Sequence, residues 1–364
     1  MSTQKIGAWV GKDAKDASEG NLSFQEIDSK KWEETDVDVK VLYCGICATD
    51  IGGLQGHYGK FSESDPAVCG HEIVGEVTKA GSQSGRKVGE FVGIGYQTDC
   101  CGACGMCKGD HPDCCSQLVN TIAGPYKRDA VKGQRAYGGF AKVWRGPGRF
   151  AIPLPEGVDA STAGPLFCGG ITVFTPLQKW GAGKSRKRVG VVGIGGLGHM
   201  ALQFASAMGA EVTAISRSDR KKADAEKLGA KHFIATGDDT GKACEARAAT
   251  LDLIICTINP AKLPVQEYLQ LLAPEGVFVI VGIPEQPLAF SGLPLVIKNA
   301  AVAGSHIGSP DQITDMLKFS VQHNVKPWVQ KYNMDDINKA LKDFNAGKPE
   351  FRFVLVNTDN GGKL

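Results

Sequence analysis

Between Arg188 and about Gly304 the chain alternates short apolar runs with amphipathic ones: RVGVVGIG, HMALQFASAMGA, EVTAISRS, RKKADAEKLGA, HFIAT, LDLIICTI, PVQEYLQLLAPEG, VFVIVGIP. Strands this short and this uniformly apolar are buried on both faces. The amphipathic stretches between them supply the cover. The pattern predicts an α/β domain built on a parallel, doubly wound sheet.

The turn after the first of these strands carries Gly193, Gly195 and Gly198 in G-x-G-x-x-G spacing, with Gly196 and Leu197 inside it. Strand (Val189 to Val192), turn and helix (from near Leu197) follow in the order a dinucleotide site needs. The glycines permit a tight turn, backbone approach to a pyrophosphate, and close helix–strand packing, with the phosphates at the helix N-terminus. Glycine-rich turns are common, and the surrounding strand–helix–strand context is what gives this one weight. The second strand then decides which dinucleotide. An NAD site places a carboxylate about 20 residues on, against the ribose 2′-hydroxyl. Here the run is Ser216, Arg217, Ser218, Asp219, Arg220, Lys221. Arg217 suits a 2′-phosphate, Ser216 and Ser218 offer hydroxyls, and Lys221 adds a point charge, so NADP(H) is expected. The bland alternative is a solvated helix start.

The rest of the 364 residues reads differently, and the length alone suggests two domains. Up to about residue 150 the chain is a series of short β-type runs (VDVKVLYCGIC, EIVGEVTKAG, KVGEFVGIGY, GGFAKVWRG) broken by glycine and proline, a mostly antiparallel β domain. PEGVDASTAGPLFCGGITVFTPLQKW reads as one helix-like segment. The last sixty or so residues read as two helices and a final strand returning to the first domain. A net charge of +2 offers no field to recruit nucleic acid or an anionic membrane, and KSRKR (Lys184 to Arg188) reads as a solvated lead-in to a strand. No secretory h-region opens the chain, and nothing approaches the roughly 18 apolar residues of a membrane span. The expected location is the cytoplasm, where clustered cysteines bind metal more often than they form disulfides.

Six of the 12 cysteines fall in CCGACGMCKGDHPDCC. Cys101, Cys104 and Cys107 have C-x2-C-x2-C spacing, and either Cys114 or Cys115 can close a four-thiolate zinc cage. Iron–sulfur ligation is the rival on spacing alone. Such a cage has no open coordination position and holds a loop in shape. An open site needs three protein ligands. Its candidates are CGICATD (Cys44, Cys47, Asp50), CGHE (Cys69, His71, Glu72) and the isolated Cys168, each of which alone could be inert packing.

Together, GHEIVGEV, the cysteine lobe, CGGITVFTPL, GIGGLGH and ISRSDRKKADAEKLGA closely resemble the zinc-dependent medium-chain alcohol dehydrogenases. The likeness is to their cinnamyl alcohol dehydrogenase branch, including the fungal NADP-dependent enzymes, and covers nearly the whole chain. It implies a GroES-like catalytic domain (residues 1–166 and 307–364) and a Rossmann NADP-binding domain (167–306). It implies two zinc ions per chain: a catalytic one on Cys47, His71 and Cys168, and a structural one on Cys101, Cys104, Cys107 and Cys115. In this resemblance Glu72 is the acid that can approach the metal, Asp50 orients a ligand, Thr49 starts the proton relay, and Thr172 lies near the nicotinamide. The implied activity is hydride transfer between NADPH and an aliphatic, aromatic or cinnamyl-type aldehyde, by a homodimer.

The chain also departs from its relatives. Many have a histidine two residues after the Asp50 position; here Gly52 stands there, and His57 is an alternative relay station. The loop TIAGPYKRDAVKGQRAYGGF is long, and Tyr58, Tyr96 and His306 are candidate pocket residues or ordinary packing. The nearest rival function is an NADPH-dependent reductase of an iminium or conjugated C=C bond with structural zinc only. A zinc-ribbon binding module and an inactive scaffold are the more distant ones.

Overall fold

In the computed structural model residues 3–122, 124–284 and 286–364 are described, and they form two compact units. One holds the chain up to Cys168 with Ile307–Val321 and Lys326–Leu364; the other holds Gly169–His306 and Gln322–Val325. The first division falls just past residue 166, which leaves Cys168 with the first unit.

The main sheet of the first unit, seven strands among the described residues, is organised around Asp36–Ile46. All of that strand except Lys40 is buried, because it has neighbours on both edges and packing on both faces. It pairs antiparallel with Ile73–Ala80 along most of its length, with Val143–Pro147 at its start, and with Arg352–Val356 at Tyr43 to Ile46. Phe91–Ile94 and Ile152–Pro153 extend the sheet on one side. Val329–Asn333 extends it on the other, parallel to Arg352–Val356. Val37, Val39, Val41, Phe140, Trp144 and Phe353 lie in one core, each contributing about 1.5–3 kcal/mol by burial. The two buried acids of the central strand are paired: Asp38 accepts from Arg145 at 2.6 and 2.8 Å, and Asp36 from Lys30 at 2.5 Å.

Two sequence expectations need correction here. The single helix-like segment after residue 155 is three pieces, Ala160–Ala163, the 3-10 turn Gly164–Phe167 and Gly169–Lys179. Cys168 sits in the break at φ −123°, ψ −83°, outside the helical region. The C-terminal part also contains a strand that the reading lacked, Val329–Asn333, whose sequence VQKYN carries too little apolar signal to announce it.

In the second unit the described strands form one parallel sheet in the spatial order His232–Ala235, Glu211–Ser216, Arg188–Val192, Leu251–Cys256, Leu272–Ile280, Ala301–Gly304. Numbered along the chain this is 3-2-1-4-5-6, the doubly wound order, with its switch point between the first and fourth strands. PVQEYLQLLAPEG proves mostly non-helical. Val265–Tyr268 and a 3-10 turn precede a strand that starts at Leu272. Among the described residues no helix is long and apolar enough to cross a membrane.

Candidate active site

At the switch point of the parallel sheet lies a cavity of about 280 Å³. Gly193, Ile194, Gly195, Gly196 and Leu197 form one wall, Ser216, Arg217, Ser218, Arg220 and Lys221 a second, and Thr257 with Ile258 a third. The three glycines have separate physical jobs. Gly193 takes φ +91°, where a side chain would be strained and would strike Ile258. Gly195 faces open space, room for a ligand to come against the backbone. A side chain on Gly198 would overlap the Gly193 carbonyl, so helix Gly198–Ala207 could not start so close to the strand. Lys221 Nζ donates to the Ile194 carbonyl at 2.8 Å, tying the cationic wall to the glycine turn. Asp219, the only acid in the run, is exposed and outside the lining; Thr172, half-buried on helix Gly169–Lys179, is outside it too. His199 packs beneath the turn with Nδ1 3.1 Å from the Gly195 carbonyl; burial lowers its pKa to about 4, so it is neutral there. This cationic, acid-free lining fits a dinucleotide carrying a 2′-phosphate.

The first unit contains two groups of side chains able to hold a metal. In one, the sulfurs of Cys101, Cys104, Cys107 and Cys115 lie within 4.8 Å of one another. The Cys101–Cys107 and Cys104–Cys115 separations are 3.8 Å and the Cys115–Cys101 separation is 3.5 Å. Zinc–sulfur bonds of about 2.3 Å in a tetrahedron set S···S edges near 3.8 Å, so the cage fits zinc. Spacing left Cys114 and Cys115 open. Cys115 turns inward, whereas Cys114 is exposed and donates to the Asp113 carboxylate at 3.6 Å.

The other group is Cys47, His71, Glu72 and Cys168, all buried. Each is delivered by a different segment. Cys47 ends the central strand and caps helix Ala48–Leu54. His71 and Glu72 follow Gly70, whose φ of +96° and close neighbours (Phe140 at 2.6 Å from a notional Cβ) require glycine. Cys168 occupies the helix break. The Cys47 and Cys168 sulfurs are 3.9 Å apart, and His71 Nε2 is 3.1 Å from Cys168 Sγ. Asp50 sets the geometry from behind. Its Oδ1 accepts from Gly70 N and faces His71 Nδ1, both at 2.8 Å, while Oδ2 accepts from Cys47 N at 2.9 Å. Nδ1 therefore keeps its hydrogen, and Nε2 is the nitrogen that gives up its proton to a bound cation. The hydrogen bond with Cys168 holds the Cys47 thiol well below its usual range; burial opposes this and the nearby Arg352 charge assists it. Burial disfavours a charge on His71, but the Asp50 carboxylate outweighs it and raises the imidazole pKa to about 10. Two thiols, an imidazole and a carboxylate that together attract positive charge are a donor set for zinc.

Thr49 Oγ1 is 3.8 Å from Cys47 Sγ and hydrogen-bonds Tyr58. Tyr58 and Tyr96 meet edge to face at 6.2 Å, and Tyr96 meets the His71 ring at 5.9 Å, so both tyrosines border the ligand set. His306 belongs to the second unit and is exposed. His57 Nδ1 lies 3.5 Å from where a Gly52 side chain would begin. Cys44 and Cys69 stay outside the cluster, their thiols pushed well above the usual range by burial.

One functional residue escaped sequence reasoning. Arg352, 4% exposed on the last strand, packs its guanidinium directly against the Glu72 carboxylate and places Nη1 3.9 Å from Cys47 Sγ. A side chain on Gly45 would overlap that carboxylate. The available signal was an arginine inside an otherwise apolar strand, FRFVLV.

The chain matches the alcohol dehydrogenase GroES-like domain over residues 33–156 and the zinc-binding dehydrogenase family over residues 196–322. An aldehyde reductase of Synechocystis sp. is 38% identical, covering 94% of this chain and 97% of that relative. The structure of a cinnamyl alcohol dehydrogenase from Sorghum bicolor superposes with a TM-score of 0.88 at 35% identity, covering 99% of both chains. That of a Helicobacter pylori cinnamyl alcohol dehydrogenase, complexed with NADP(H), gives 0.86 at 30% identity over 98% of this chain and 99% of the other. The chain belongs to the zinc-binding alcohol dehydrogenase family, in its cinnamyl alcohol dehydrogenase branch.

Proposed function

We propose that this enzyme reduces aldehydes to alcohols with NADPH, using zinc on Cys47, His71 and Cys168. The observation that carries the reading is the buried Cys–His–Cys set with a carboxylate beside it that Arg352 holds. When bound, zinc supplies a Lewis acid for the substrate oxygen and NADPH supplies the hydride. The chain's own residues do the rest. Asp50 fixes the orientation of His71 and the backbone of Cys47. Arg352 balances the buried charge of Glu72 and Cys47. Thr49, hydrogen-bonded to Tyr58, holds a hydroxyl beside the metal ligands, where it takes or gives the proton of the substrate oxygen. Cys101, Cys104, Cys107 and Cys115 hold a structural zinc that maintains the lobe. An NADPH-consumption screen across aliphatic, aromatic and cinnamyl-type aldehydes tests the reading. Turnover of several aldehydes is expected; activity confined to an iminium or a conjugated C=C bond would sink it.

Cofactor choice rests on Gly193, Gly195, Gly196, Leu197 and Gly198 for the pyrophosphate, with Ser216, Arg217, Ser218 and Lys221 for the 2′-phosphate and Thr172 beside the nicotinamide. A charge-assisted hydrogen bond contributes about 1.5–3 kcal/mol. Arg217→Asp also adds repulsion, so kcat/KM with NADPH is expected to fall on the order of 100-fold or more while the NADH value changes little. Equal losses with both cofactors would remove Arg217 from this role.

We assign a homodimer paired through the second unit. Helix Leu293–Lys298 buries none of its residues, and Ile283, Leu293, Val296 and Ile297 are 63–75% exposed. Strand Ala301–Gly304, which they flank in sequence, pairs on one edge only among the described residues. An apolar patch beside an open strand edge is what a second copy covers. Val296→Asp is expected to shift the light-scattering mass from dimer to monomer; an unchanged dimer refutes this surface. A cytoplasmic setting suits a chain in which none of the twelve cysteines forms a disulfide.

A further inference from the structure

The cysteine lobe brings together more sulfur than a tetrahedral ion takes. Cys100 is 7% exposed and belongs to the same small buried cluster as Cys107, Cys115 and Phe150, with Cys101 and Cys104 packed against it. Its side chain packs in that cluster beside the four sulfurs of Cys101, Cys104, Cys107 and Cys115, which lie within 4.8 Å of one another. The position is fixed rather than incidental. Cys100 N donates to Asp99 Oδ1 at 2.9 Å, and Asp99 Oδ2 accepts from Arg128 Nε at 2.6 Å, an arginine that also donates to both Glu33 oxygens at 3.0 Å. Cys114, the sixth cysteine of the run, is exposed and faces Asp113. A fifth thiol therefore packs against a cage that four thiols complete.

We propose that Cys100 is a reserve ligand of the structural zinc, able to take the coordination position of Cys107. Cys107 and Cys100 belong to one buried cluster on the buried side of the cage, whereas Cys101 and Cys104 are partly exposed. The exchange is a ligand substitution without redox. The bond from the metal to Cys107 breaks, one to Cys100 forms, and the Cys100 proton passes to the departing sulfur, or to solvent where residue 107 has none. The zinc then survives detachment of one ligand. The proposal rests on the reading that the lobe holds zinc.

Zinc per chain in the purified full-length protein tests it. Wild type is expected to carry two zinc ions and Cys107→Ser also two, while the double variant Cys100→Ser/Cys107→Ser carries one. A Cys107→Ser protein with one zinc, like the double variant, overturns the proposal. A wild-type protein without lobe zinc removes its premise as well, and the two failures are distinguishable because only the second appears before any substitution. Should Cys107→Ser fail to fold, Cys100→Ser gives an independent readout, since it keeps all four ligands. Release of its lobe zinc to a chelator is expected to be several-fold faster than in wild type, because nothing recaptures the ion when Cys107 detaches. Equal or slower release overturns the proposal.

Discussion

Replacing His71 by Ala is expected to lower kcat/KM for aldehyde reduction by ~10³-fold or more and to leave one zinc per chain, the one in the lobe. The metal supplies several kcal/mol of charge stabilisation as the substrate oxygen becomes anionic, and each 1.36 kcal/mol is a factor of ten in rate. His71 is the one nitrogen donor of the set and the one whose orientation Asp50 locks. Its loss leaves two thiols and a carboxylate already engaged by Arg352. The fold survives, because Asp50 keeps the Cys47 and Gly70 backbone donors, and the untouched lobe acts as an internal standard for metal analysis. Asp50→Asn is expected to be milder, with roughly 10- to 100-fold weaker metal binding, since it retains a side chain of the same shape but loses the charge that fixes the Nδ1–H tautomer. A His71→Ala enzyme that keeps two zinc ions and activity within tenfold of wild type would refute the catalytic assignment.

The second large effect is on stability. Arg352→Leu removes the only counter-charge seen against Glu72 among the described residues, and both groups are at most 4% exposed. Breaking a buried pair by deleting one partner costs about 3–5 kcal/mol, because the remaining charge is stranded. Removing both charges costs much less. Denaturant unfolding of Arg352→Leu, Glu72→Gln and the double variant would show this directly. The double variant is expected to recover most of the loss, giving a coupling energy of a few kcal/mol. Additive single losses would mean that the two side chains do not interact.

How legible each part was in the sequence follows from how local its physics is. The glycine turn was legible because all three of its constraints (a positive φ, an open approach and a close helix start) act within six residues. The cationic wall sits at the end of the next strand, at a fixed distance along the chain. Spacing made the thiolate cage legible as a cage, but its fourth ligand, Cys115, came only from the resemblance. Cys114 and Cys115 are adjacent, and only the backbone of the short Pro112–Cys114 turn decides which sulfur faces inward. The candidate catalytic set could not be grouped by spacing at all, since Cys47, His71 and Cys168 come from three separate segments; resemblance to a family is what grouped them, and the structure brings their ligand atoms together. Resemblance did not reveal Arg352, 280 residues from Glu72, because an ion pair of that separation leaves no local trace beyond one charge in an apolar strand. Val329–Asn333 was missed for the opposite reason. Its place in the sheet is set by parallel pairing with Arg352–Val356, not by its own composition.

That late strand sets a timetable for the enzyme's birth. Arg352–Val356 closes the edge of Asp36–Ile46, a pairing that spans almost the entire polypeptide. During synthesis all residues of the nucleotide-binding unit precede Arg352–Val356, so the other unit still lacks a strand and a counter-charge for Glu72 when they have been made. Local sheets form early and long-range pairings late. The metal centre is therefore among the last features to mature.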